Sequence, residues 1–160
     1  MNRKQLDHII HSYHREAYIW ARQCAMFDDE LAKDVLQQVY LKILEGRAKL
    51  KDPSKAKTWL FSIIRYTAID ALRVSGKLLS LEDSYDFEDV QEEIDHTDYQ
   101  AMIKQLPKMQ QEVLLMVFYH QMTIEQSAEV LQIGLGTART HYSRGKMKLK
   151  DLITKTQMQE

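Results

Sequence analysis

The chain of 160 residues contains one cysteine, two prolines and five glycines. A lone thiol, Cys24, makes no intrachain disulfide and builds no thiolate metal site. It lies among Ile19, Trp20 and Phe27, and reads as a buried free thiol. With few Gly and Pro to break helices, and Leu, Ala, Gln, Lys, Glu and Met abundant, the composition predicts an all-α protein. No run of about 18 apolar residues is present, so no membrane insertion is expected. The opening stretch, MNRKQLDHIIHSYHRE, lacks the apolar segment of a signal peptide, which points to a cytoplasmic chain. A Gly-rich phosphate loop and a Gly-x-Ser-x-Gly nucleophile motif are also missing, so no catalytic residue, no cofactor and no enzyme activity are expected.

His8, His11 and His14 are spaced by three. Steps of three drift around a helix, and no cysteine or carboxylate cluster joins them, so they read as a solvated face and no metal site is expected. Trp20 and Trp59 stand among apolar neighbours and read as core. The eight Met residues suit gaps between helices.

The net charge of −1 conceals a pattern. Residues 1–75 hold 13 Lys/Arg against 9 Asp/Glu, residues 76–105 hold 2 against 9, and residues 106–160 hold 7 against 5. Two mildly basic blocks flank an acidic connector, and distribution says more about partners than the sum does.

Hydrophobic spacing fills in the blocks. A first helix is expected from about Arg3 to Phe27. Asp28 or Asp29 would cap a second, with Leu31, Val35, Val39 and Ile43 four residues apart and Leu36, Tyr40 and Leu44 beside them. It would stop at Glu45-Gly46. The polar loop 46–57 carries Arg47, Lys49, Lys51, Lys55 and Lys57 against Asp52 alone. Thr58 is expected to cap a third helix, with Leu60, Ile63, Ile64, Thr67, Ala68, Ala71 and Leu72 on one face and Arg65, Tyr66 and Arg73 on the other. The acidic stretch 76–98 reads as a flexible linker. Beyond it, Pro107 suits the first turn of a helix reaching about Tyr119, with Val113, Leu114, Val117 and Phe118 as its apolar residues.

The most informative segment is MTIEQSAEVLQIGLGTARTHYSRGKMKLK (122–150). Thr123 and Gln126 form a capping box that starts a helix, and Ala128 and Leu131 face inward. Gln132-Ile133-Gly134 breaks it, and another helix begins near Leu135. Ala138, Tyr142, Gly145 and Leu149 form its buried face, leaving Thr137, Arg139, Thr140, His141, Ser143, Arg144 and Lys148 outward. From Arg139 to Lys150 there are five Lys/Arg and no acid. A short helix, a tight turn and a basic amphipathic helix form the geometry that enters a major groove. A helical hairpin with a solvated basic face is the plainer reading of the same residues. The capping box, the three-residue turn and the small-residue face together favour DNA binding.

Two segments carry a resemblance. DELAKDVLQQVYLKIL (29–44) with TWLFSIIRYTAIDALR (58–73) is similar to the sigma-2 domain, and LPKMQQEVLLMVFYHQMTIEQSAEVLQIGLGTARTHYSRGKMKLK (106–150) to the sigma-4 domain. In this order, with an acidic connector and no larger sigma-3 domain between them, the chain resembles the extracytoplasmic-function (ECF) class of the sigma-70 family of bacterial RNA polymerase subunits. The resemblance implies a sigma-2-like domain over 1–75, the linker over 76–98 and a sigma-4-like domain over 99–160. It implies that Asp34, Gln37, Gln38 and Leu41 grip the β′ clamp helices of the core polymerase, with the β flap as a further contact. Loop 46–57, with Lys49, Lys51, Lys55 and Lys57, would capture a base of the −10 element. Arg65, Tyr66, Asp70 and Arg73 would face melting DNA, and the helix 135–148 would read the −35 element. The family commonly has other residues at Gln126, Ser127, Gln132, Gly134, His141 and Tyr66, so this chain's departures fall on its reading surfaces. An anti-sigma partner that hides the polymerase-binding face is a further expectation. On residues alone, a free-standing helix-turn-helix regulator and a helical interaction protein without DNA contact stay open beside this reading.

Overall fold

The computed structural model describes residues 2–75 and 98–158. Every regular element among them is helical, and the chain divides into two compact units. Of the expected linker, residues 76–97 lie outside the described residues; Asp98 opens a helix.

The first unit packs α1 (Arg3–Cys24), α2 (Asp29–Leu44) and α3 (Ala56–Ser75) pairwise against one another. Asn2 and Gln5 close the N-terminus of α1 as a capping box, which satisfies two of the amides a helix start leaves open. The expected extension of α1 to Phe27 is not seen. Met26 and Phe27 instead take left-handed backbone (φ 59° and 64°), because the chain must reverse there to bring α2 back along α1. The Arg22 guanidinium bridges the turn, 5.5 Å from the Phe27 ring centroid and 2.6 Å from the Asp29 carboxylate. Asp28 accepts the Leu31 amide proton and caps α2. The stripe of α2 buries Ala32, Val35, Leu36, Val39 and Ile43.

Thr58 does not cap α3. Asp52 caps a short 3₁₀ turn at Pro53–Lys55, and α3 runs directly on from Ala56. Thr58 is thereby buried in the first turn of α3. Phe61, adjacent to the expected face, is fully buried, whereas Ile63, Ala71 and Trp59 are half-buried. The ring of Phe61 lies flat against Trp20, which is why the buried sector of α3 is broader than its aliphatic stripe. Lys42 adds a polar pin, donating to the Thr67 hydroxyl at 3.0 Å.

The second unit contains α4 (Asp98–Lys104), α5 (Lys108–Leu114), α6 (Ile124–Leu131) and α7 (Leu135–Met158). Pro107 stands immediately before α5, where its missing N–H costs no hydrogen bond. The helix reaches Tyr119 as expected, but residues Leu115–Tyr119 form a π turn. The His120 amide donates to Leu115 O at 3.1 Å, five residues back. The wider turn changes the angular phase, so Leu115 and Met116 are buried, Val117 is half-buried and Phe118 is 58% exposed. Phe118 is thus not the core residue its spacing suggested.

Candidate nucleic-acid interface

Thr123 and Gln126 close the start of α6 reciprocally. The Gln126 amide donates to Thr123 Oγ1 at 3.0 Å, and the Thr123 amide donates to Gln126 Oε1 at 2.9 Å. Gln132 ends the helix in left-handed conformation (φ 57°), and the Ile133 amide returns to Ala128 O at 3.1 Å. This six-to-one bond satisfies a carbonyl that the helix end would otherwise leave open. Two residues on, α7 begins at Leu135. The three-residue break therefore has the geometry of a helix-turn-helix.

α7 lies against α5 at Gly145, where a Cβ would stand 3.1 Å from Gln110 Cβ and 3.2 Å from Leu114 Cδ1. Ala138 and Gly145 are buried; Tyr142 and Leu149 are half-buried. Tyr142 stacks on Phe118, 5.8 Å between centroids, and the Lys146 ammonium lies 5.4 Å from the Tyr142 ring centroid. With one side of α7 held in this way, Thr137, Arg139, Thr140, Ser143, Arg144 and Lys148 are exposed on the rest. Thr140 donates its hydroxyl proton to Gly136 O at 3.1 Å. His141 departs from the outward set. It is half-buried, and its Nδ1 is enclosed without a hydrogen-bond partner among the described residues. Its position beside the Ala138–Gly145 seam turns it inward. Lys146, which the outward set omitted, is exposed.

In the first unit Lys49, Lys51 and Lys55 are exposed, whereas Lys57 is half-buried. Its ammonium pairs with Glu16 of α1 at 2.9 Å and lies 5.8 Å from the Phe61 ring centroid, so it fastens the start of α3 to α1. Hydrogen bonds from the Ser54 hydroxyl and amide hold the Asp52 carboxyl below its ordinary pKa. On α3, Arg65 is half-buried, Tyr66 is 41% exposed, and Arg73 is exposed with Asp70 at 3.7 Å.

Asp34, Gln37, Gln38 and Leu41 are all exposed. Their spacing of i, i+3, i+4 and i+7 places them on one face of α2. Leu41 stands 47% exposed at the edge of a groove of about 580 Å³ between α1 and α2, which Tyr18, Leu36 and Tyr40 also line. The Tyr40 hydroxyl and His14 Nδ1 share a hydrogen bond of 2.8 Å. Burial pushes the Tyr40 pKa up to about 12. His11 Nδ1 meets the Asp7 carbonyl at 2.8 Å, so His11 and His14 engage different partners. Among the described residues no His, Cys, Asp or Glu set is placed to hold a metal ion, and no helix is long and apolar enough to cross a membrane.

Comparison with known proteins agrees with this geometry. Residues 9–78 match the family model of sigma-70 region 2, and residues 96–149 match that of sigma-70 region 4. The chain is similar to the RNA polymerase sigma factor SigZ of Bacillus subtilis, with 30% identity over 131 residues, 79% of this chain and 74% of that one. It is similar to the ECF RNA polymerase sigma factor SigX of Bacillus subtilis, with 26% identity over 84% of this chain and 76% of that one. Its fold is similar to that of the sigma factor RpoE from Bartonella quintana, solved in complex with the anti-sigma factor NepR, with a TM-score of 0.75 and 18% identity over 94% of this chain and 98% of that one. These matches do not favour a free-standing regulator. The chain belongs to the sigma-70 family of RNA polymerase sigma factors, in its extracytoplasmic-function class, and serves promoter-specific transcription initiation.

Proposed function

We propose that the chain divides this task between its two units. Asp34, Gln37, Gln38 and Leu41 bind the β′ clamp helices of the core polymerase. Lys49, Lys51 and Lys55 with Arg65, Tyr66 and Arg73 engage the −10 element. Thr137, Arg139, Thr140, Ser143, Arg144 and Lys148 read the −35 element, and the second unit also meets the β flap. The boundaries are 1–75, 76–97 and 98–160, the expected linker losing Asp98 to α4. The observation that carries the reading is α7: five Lys/Arg without an acid between Arg139 and Lys150, on a helix that follows the break at 132–134 and is fixed from behind at Gly145.

Arg139 and Arg144 have the donors to meet guanine edges or phosphates. Phosphate contacts supply sequence-independent affinity that falls with salt. A chain of net charge −1 has little such affinity by itself. Joining both units to one polymerase raises the local concentration of each for DNA. The subunit works by binding, in the cytoplasm, where polymerase and promoters are. The complex of RpoE with NepR supports an anti-sigma partner for this chain too, one that covers the α2 face.

Run-off transcription with core polymerase over a promoter library tests this. Transcription from a defined promoter class, with weak DNA binding by the chain alone, is the expected result. Failure of the chain to associate with core polymerase would refute it.

A further inference from the structure

A second groove, of about 580 Å³, opens between the first turns of α1 and the turn before α3, lined by Lys4, His8, Ser12, Tyr13, Pro53 and Ala56. Lys4, His8 and Ser12 are four residues apart and run in one column of about 12 Å along α1. All three are exposed; Tyr13, in the adjoining column above buried Ile9, is half-buried, and its hydroxyl has no hydrogen bond among the described residues.

The groove is continuous with the basic loop, since Pro53 and Ala56 belong to the stretch that carries Lys51 and Lys55. Lys4 lines it, and Arg3 and Lys51, close in sequence to its lining residues, are exposed. The acids nearby are Asp7, exposed on α1, Glu16, paired with Lys57 at 2.9 Å, and Asp52, whose carboxylate already accepts from the Ser54 amide at 3.0 Å and the Ser54 hydroxyl at 2.8 Å. At the end of the groove the α1 capping box uses the side-chain oxygens of Asn2 and Gln5 as acceptors, which leaves their amide N–H groups to donate. The lining thus offers flat rings, N–H donors and positive charge together. An unpaired nucleotide presents the complement: a ring face, acceptor atoms and a phosphate.

We infer that this groove seats one unpaired nucleotide of the melted promoter strand beside the base taken by the loop. His8 and Tyr13 contact the base, and Lys4 contacts its phosphate. The inference rests on the proposed role of loop 46–57 at the −10 element. It makes His8 and Tyr13 specificity-determining residues at a position next to the one the loop reads.

The test uses the full chain on core polymerase, with 2-aminopurine placed at successive positions of the melted strand and run-off transcription on promoters varied at each position. Ser12→Trp fills the groove and His8→Ala removes a ring; both sites are exposed on α1. Both variants are expected to alter the 2-aminopurine signal at one position next to the loop's base. Discrimination among the four bases there falls about fivefold, as loss of one hydrogen bond from His8 or Tyr13 to the base edge requires, stacking itself being sequence-tolerant, while affinity for core polymerase is unchanged. Unaltered base preference at every position overturns the inference. Loss of core affinity in Ser12→Trp also overturns it, because a protein surface then occupies the groove. Lys51→Ala, run in parallel, separates the failures. Unimpaired opening in that variant removes the loop reading, whereas impaired opening there with unaltered Ser12→Trp behaviour removes the groove alone.

Discussion

The indole of Trp20 lies parallel to the ring of Phe61, 5.2 Å between centroids, and its N–H donates to the Phe61 carbonyl at 3.0 Å. Both side chains are fully buried, one on α1 and one on α3. The contact removes large apolar area from water and gives the single polar atom of the indole its partner. Trp20→Ala is expected to destabilise the first unit by about 3–5 kcal/mol. Trp20→Phe keeps the ring contact and loses the hydrogen bond, costing about 1–2 kcal/mol. Urea denaturation of the two variants checks the order.

Gly145 offers a test of helix approach. Alanine normally favours a helix interior over glycine by about 1 kcal/mol. Here its Cβ would press on Gln110 Cβ and the Leu114 side chain at 3.1–3.2 Å, and overpacking of that kind costs about 1–3 kcal/mol. Gly145→Ala is therefore expected to lower thermal stability, and Gly145→Val to lower it further. Melting of both variants decides whether packing or propensity prevails.

Arg144 and His141 stand three residues apart on α7, yet one is exposed and the other half-buried. Arg144→Gln is expected to weaken promoter binding by the polymerase complex and to reduce the salt slope by about 1 if the lost contact is a phosphate. His141→Ala is expected to leave that slope unchanged and to alter stability instead. Binding titrations at several salt concentrations separate the two.

Lys51 and Lys57 form a similar contrast in the first unit. Lys51→Ala is expected to reduce promoter opening without a change in melting temperature. Lys57→Ala breaks the pair with Glu16, which is partly exposed and so contributes at most about 1 kcal/mol. Its effect appears in stability more than in opening. Equal losses of opening in both variants would contradict the assignment of Lys57 as a tether.

Local signals were legible in the sequence. The capping box at Thr123 and Gln126, the Asp28 cap, the Gly46 stop and the break at 132–134 each depend on residues a few positions apart, and side-chain chemistry there dictates the backbone. The fold class followed from them together with composition. What escaped depends on partners distant in sequence. Phe61 is core because Trp20 faces it from α1, and Lys57 is tied because Glu16 is opposite. His141 turns inward because α7 lies so close to α5 at Gly145. The left-handed residues Met26 and Phe27 were equally unreadable, since neither type favours that conformation; tertiary packing imposes it. Of the site, six of seven outward residues on α7 were readable from helical spacing and the α2 residues came from the family resemblance, whereas the groove between α1 and Pro53–Ala56 required the fold.

The π turn at Leu115–Tyr119 amounts to one surplus residue spliced into a helical frame. Deleting a residue there would return the segment to α register and swing everything downstream by about 100°. The aim of α7 relative to α5 is thus a matter of residue count as well as residue type. Within this fold, a single-codon insertion or deletion is a route to re-aiming α7 that no substitution on its surface provides.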